Sequence, residues 1–128
     1  MLSHPGILYV RIDIDDLYVR NVDSDHVVQR KARPGFTTRR LLVGEFLIAQ
    51  TLLRSMVGEF RGRWFSRSPM MLMHPLAMVD EGLCEVEHRV LTELAQSAGA
   101  SSSLIWMGHV LSNEQAREVA LSKVAKQP

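Results

Sequence analysis

Apolar and polar positions along this chain change period several times, and each change marks an element. Ile7–Ile14 (ILYVRIDI) alternates and is rich in β-branched residues, which predicts a strand. Leu17–Asn21 continues in the same character, and Asp23-Ser24-Asp25 predicts a turn. His26–Arg30 predicts a short third strand, close enough to the others for an antiparallel meander. Pro34-Gly35 breaks the pattern, and from about Thr38 to Phe60 the period becomes helical. Leu42, Phe46, Ala49, Leu53, Met56 and Phe60 form the stripe, widened by Leu41, Val43, Leu47, Leu52 and Val57. Gly62–Pro69 is a predicted loop, and Met70–Met73 a short apolar strand ended by His74-Pro75.

The clearest unit follows. Leu83, Val86, Val90, Leu91, Leu94 and Ala98 fall on one face of a helix over about Gly82–Ala98. Gly99 stands where a left-handed C-cap belongs, and Ser101–Ser103 lead into the apolar Leu104-Ile105-Trp106-Met107. A last strand is expected at about Ser102–Met107 and a third helix at about Asn113–Ala125. Ser112 would cap that helix, with Ala116, Val119, Ala120 and Val124 facing inward. The resulting order is β-β-β-α-β-α-β-α, in which strands joined through helices run parallel. A meander extended by parallel strands is an α/β, ribonuclease-H-like arrangement, also found in actin half-domains. It predicts one mixed sheet flanked by helices, in a single domain over residues 1–128.

Composition adds limits rather than a function. Fifteen basic and fourteen acidic residues leave a net charge of +1. The lone Cys84 cannot form an internal disulfide and fits a reducing compartment. No apolar run reaches the roughly 18 residues of a membrane span, and the N-terminus lacks a secretory pattern. A cytoplasmic location is expected. The charge is unevenly spread, however. Between Arg30 and Arg67 stand Arg30, Lys31, Arg33, Arg39, Arg40, Arg54, Arg61, Arg63 and Arg67, against only Glu45 and Glu59. This region is either a solvated face beside acidic neighbours or a surface for an anionic partner.

In the segment SPMMLMHPLAMVDEGLCEVEHRVLTELAQSAGASSSLI, residues Glu87-His88-Arg89, Ala95-Gln96, Ala98-Gly99-Ala100 and Leu104-Ile105 keep a recognisable spacing. Together with Leu17-Tyr18-Val19-Arg20 upstream, they resemble the first half of the bacterial actin homologue MreB, of the actin/Hsp70-like ATPase family. The resemblance implies an actin-like half-domain that is truncated, since the second half is missing. It also implies a degenerate nucleotide site. The family's first phosphate loop follows a D-x-G-T pattern between strands one and two, and Tyr9, Arg11 and Ile12 occupy its Asp, Gly and Thr places. None of the three can cradle phosphate or organise magnesium. The family's later E-E-P, with a carboxylate that positions the hydrolytic water, is replaced by Trp106-Met107-Gly108.

No ATPase activity, catalytic residue, metal or cofactor is therefore expected. The resemblance further implies a membrane-facing loop at Arg61-Gly62-Arg63-Trp64-Phe65-Ser66-Arg67. Arg61, Arg63, Trp64, Phe65 and Arg67 are the candidate membrane- or partner-binding residues, with rings at headgroup level and guanidinium groups on phosphate. The alternative is that Trp64 and Phe65 fold back onto the core. A non-catalytic role at the cell-shape cytoskeleton or the inner-membrane surface follows, with cytoskeletal proteins, anionic membrane or a second copy as partners.

Two other constellations carry candidate chemistry. Asp13 and Asp15, with Glu45 or Glu59 approaching from the first helix, could hold two metal ions as in ribonuclease-H-like nucleases, or could form a solvated acidic hairpin. Cys84 and His88 share a helix face, as two zinc ligands or as ordinary helix residues. Nucleic-acid binding by the arginines is disfavoured because aromatic residues are not interleaved among them as stacking platforms.

Overall fold

The computed structural model describes residues 6–61 and 68–126. Strands β1 (Ile7–Asp13), β2 (Asp16–Asn21) and β3 (Val27–Lys31) precede helix α1 (Phe46–Gly58). Strand β4 (Met70–Pro75), helix α2 (Glu85–Ser97), strand β5 (Ser102–Ile105) and helix α3 (Asn113–Lys126) follow. The strands form one sheet in the order β3-β2-β1-β4-β5. β1, β2 and β3 pair antiparallel, whereas β4 joins β1 and β5 joins β4 in parallel. The small α/β domain is thus a mixed five-stranded sheet with three helices.

Strand alternation divides the apolar side chains between two layers. Leu8, Val10 and Ile12 of β1, with Met71 and Met73 of β4, pack under α1 and α2 against Leu53, Met56, Leu91 and Leu94. Tyr9 of β1 and Met70 and Leu72 of β4 point to the opposite face and meet Leu111, Ala116 and Ala120 at α3. α3 presents small residues there, which lets its backbone lie close to the sheet. The methionines of β4 fill both layers, as suits an unbranched, adaptable side chain.

The Gly99 and Ser112 caps lie where the sequence predicts them, and α2 has a further device at its start. Cys84 precedes α2, and its N–H donates to Glu87 Oε1 at 3.2 Å. At the far end Gly99 has φ +100, and the N–H of Ala100 returns to Ala95 O at 3.1 Å. Ser112 caps α3: Gln115 N–H donates to Ser112 Oγ at 3.2 Å, and Ser112 N–H to Gln115 Oε1 at 2.9 Å.

The chief difference from expectation lies before α1, which starts at Phe46 rather than near Thr38. Residues 38–45 fold back on Phe36, whose carbonyl accepts from the N–H of Gly44 at 2.9 Å and of Glu45 at 2.8 Å. The Thr38 hydroxyl competes for the local backbone, accepting from Leu41 N–H at 3.2 Å. Its side chain also packs onto Gly44, where a Cβ would overlap it. Leu42 and Val43 still reach the main core, but from a loop.

Candidate functional site

The β1–β2 hairpin is where the resemblance drawn from the sequence would put a phosphate loop. Asp13 and Asp16 are its last cross-strand pair, so Ile14 and Asp15 make the turn. Asp15 takes φ +51 there, a conformation aspartate tolerates better than most residues. Its main chain and side chain both bind the segment that follows β3. Asp15 N–H donates to Thr37 Oγ1 at 3.0 Å, Thr37 N–H donates to Asp15 Oδ1 at 2.8 Å, and Ala32 N–H donates to Asp15 O at 2.8 Å. Thr37 Oγ1 in turn donates to Leu42 O at 2.7 Å. The Asp15 carboxylate lies against Gly35, where a Cβ would overlap it. The turn is therefore closed by its own chain: the Asp15 amide is committed to Thr37, and the Ile14 amide donates to Asp13 Oδ1 at 2.8 Å.

This placement corrects the paired-carboxylate expectation. The left-handed turn interrupts strand alternation, so Asp13 and Asp15 do not share a face. Glu59 is held by Arg30 at 2.8 Å on the solvent side. Cys84 and His88 are both exposed, and among the described residues no group of three or more His, Cys, Asp or Glu is placed to hold a metal ion.

On the α3 side of the sheet, Tyr9 and His74 form a buried polar pair that sequence reasoning did not join. Tyr9 is fully buried and His74 nearly so. The Tyr9 hydroxyl lies 2.6 Å from His74 Nδ1 and accepts from Leu111 N–H at 3.1 Å. His74 Nε2 lies 3.0 Å from Gly108 O. A carbonyl can only accept, so Nε2 carries the proton and Nδ1 accepts from the tyrosine. All these polar groups are thereby satisfied by neutral His74, and the chain of bonds fastens the 106–112 segment to the sheet. Burial lowers the His74 pKa from its ordinary value, aided by the Arg11 and His109 charges and opposed by the Gly108 bond. Burial also raises the Tyr9 pKa, against the Leu111 hydrogen bond and the Arg11 and Arg20 charges.

Beside this pair, Tyr9 faces Arg20 and Arg11 faces Tyr18 across the two strands. The Arg11 guanidinium lies 3.5 Å from the Tyr18 ring centroid, and that of Arg20 lies 5.0 Å from the Tyr9 centroid. Arg20 also donates to Tyr18 Oη at 3.1 Å and to Leu111 O at 2.6 Å. Arg11 is thus flattened on a tyrosine. A cleft of ≈280 Å³ opens next to it, lined by Arg11, Asp13, Asp16, Tyr18, Gln29 and Leu76.

At the end of β5, Trp106-Met107-Gly108 has a structural part. Trp106 N–H donates to Met73 O at 2.9 Å, and Trp106 Nε1–H to His109 O at 2.8 Å. Gly108 packs against the indole and gives its carbonyl to His74.

Of the candidate binding residues, Arg61 is exposed just beyond α1, and its guanidinium lies over Gly99. Arg63, Trp64, Phe65 and Arg67 lie outside the described residues. Among the described residues no helix is long and apolar enough to cross a membrane.

No family model matches the chain. It is 31% identical over 99 residues to YjaA of Escherichia coli (strain K12), an uncharacterized protein, the match covering 73% of this chain and 76% of YjaA. Its fold is similar to the crystal structure of the ethanolamine utilization protein EutJ from Carboxydothermus hydrogenoformans, with a TM-score of 0.56 and 16% identity. That match covers 81% of this chain but only 38% of EutJ, so the chain spans well under half the length of that protein. The likeness shows an actin-like fold, and at this identity it concerns the fold alone.

Proposed function

The chain belongs to the family of YjaA, and from that premise and its actin-like fold we propose that it is a non-catalytic, MreB-like binding protein of the bacterial cell-shape cytoskeleton or inner-membrane surface. The observation that carries the non-catalytic part is the closed β1–β2 turn. Asp15 and Thr37 bind each other at 2.8 and 3.0 Å where the family's loop would receive phosphate. Binding a triphosphate there would require those bonds to break and would bring its charge beside Asp13, Asp15 and Asp16. The positions of the family's acids hold Trp106 and Met107, neither of which can serve as a general acid or base.

With no chemistry to perform, such a domain acts through surfaces. The sequence around Arg61, Arg63, Trp64, Phe65 and Arg67 is suited to an anionic partner, and a bilayer fits both its rings and its charges. Two assays test the reading. Purified protein with magnesium and ATP should release no phosphate above a buffer blank; turnover abolished by Asp15→Asn would overturn the non-catalytic assignment. Co-sedimentation with phosphatidylglycerol vesicles should fall at least fivefold in the Trp64→Ser/Phe65→Ser variant, and unchanged sedimentation would remove the membrane role.

A further inference from the structure

We infer that the outer edge of β3 and the first turns of α1 form a docking groove for an extended, acidic–apolar segment of a protein partner, which adds as a sixth strand to the sheet. β3 is an edge strand: it pairs with β2 and has no other neighbour among the described residues. An edge presents a row of backbone donors and acceptors ready for another strand. α1 packs beside β3, and a groove of ≈640 Å³ lies between α1 and residues 31–34, the last residue of β3 and the chain that continues from it.

The groove has a definite chemistry. Leu47, Ile48 and Leu52 supply one wall, with Pro34 opposite, and Lys31 and Arg33 stand at the rim. Leu47 is 72% exposed although it belongs to the apolar stripe of α1, more than any other large apolar residue described. None of the residues lining the groove is acidic, and neither Lys31 nor Arg33 has a carboxylate within ion-pair distance among the described residues. A strand placed about 4.8 Å beyond β3 would turn alternate side chains toward α1. Apolar residues at those positions would cover Leu47, Ile48 and Leu52, and intervening acids would meet Lys31 and Arg33. Charge complementarity thus selects an acidic peptide over a basic one. β3 is five residues long, so the docked segment is short.

This inference rests on the reading of the chain as a binding protein, but it uses a surface separate from residues 61–67. The ATP and vesicle assays above therefore stand or fall without it. The test uses a fluorescein-labelled peptide of alternating valine and glutamate, titrated with the full chain and followed by anisotropy. Saturable binding is expected, at least tenfold weaker in Leu47→Glu and in Lys31→Glu, both exposed substitutions. N-methylation of alternate peptide nitrogens on the pairing edge should abolish it. Equal binding of a valine–lysine peptide, full binding by Leu47→Glu, or indifference to N-methylation would overturn the proposal. So would absence of peptide binding together with Leu47-dependent recruitment to phosphatidylglycerol vesicles, which would assign the groove to lipid.

Discussion

The Tyr9 hydroxyl and His74 Nδ1 lie 2.6 Å apart across the β1–β4 pair, in a buried chain of bonds that ends on the backbone of Gly108 and Leu111. Tyr9→Phe keeps the ring and removes the link. It leaves His74 Nδ1 and Leu111 N–H without their partner in a buried layer, at a cost of about 1–3 kcal/mol. Urea denaturation should show a lower midpoint with an unchanged slope. An unaltered midpoint would mean that the hydroxyl contributes nothing net.

The same pair predicts a pH dependence. His74 has a folded pKa below its ordinary value of 6.5, so it is neutral in the native state at neutral pH. Below about 6.5 the unfolded chain takes up a proton that the folded chain refuses, and unfolding becomes easier. Stability from this group is complete above 6.5 and is lost as pH falls from there through the lowered folded value. The groups facing the ring are Tyr9, Arg11 and His109, and both charged neighbours act in the same direction. Denaturation midpoints between pH 8 and pH 5 should fall more steeply for the parent than for His74→Gln. Equal slopes would remove His74 as the cause.

Neither of those groups could be paired from sequence, because the contact spans 65 residues and depends on parallel register. Alternation puts Tyr9 opposite Leu8 and Val10, but it does not say that β4 lies alongside with His74 beside Arg11. The helix-glycine-strand run from Leu83 to Ile105 was legible because its devices are local. An apolar period, a left-handed glycine and a polar lead-in each act within a few residues. The start of α1 was not legible for the opposite reason. Leu41, Leu42 and Val43 keep a helical spacing, while the Thr38 hydroxyl and Phe36 carbonyl divert their backbone into a turn. The hairpin carboxylates failed similarly: the period of two continues in the letters at Asp15, but a positive φ ends it in space.

Thr37 should matter more than its position in a loop suggests. Its hydroxyl accepts from Asp15 N–H and donates to Leu42 O, joining the β1–β2 turn to the approach to α1. Thr37→Val preserves shape and deletes both bonds, which should cost about 1–2 kcal/mol. Hydrogen exchange should accelerate at the Asp15 amide, and Thr37→Ser should restore protection. Unchanged exchange in Thr37→Val would show that the closed turn is held by other contacts.

Gly99 is constrained twice, by its φ of +100 and by the Arg61 guanidinium lying where a Cβ would project. The two constraints differ in stiffness. Arg61 is exposed and flexible, so its guanidinium can swing away, whereas the backbone at the end of α2 is fixed by the Ala100–Ala95 bond. Gly99→Ala should therefore cost about 1–2 kcal/mol, mostly from forcing a Cβ into the left-handed region. Arg61→Ala alone should stay within about 0.5 kcal/mol of the parent, as an exposed substitution. The double variant separates the causes. If the backbone dominates, Gly99→Ala costs the same with or without Arg61; if the penalty vanishes in the Arg61→Ala background, the side-chain overlap was responsible.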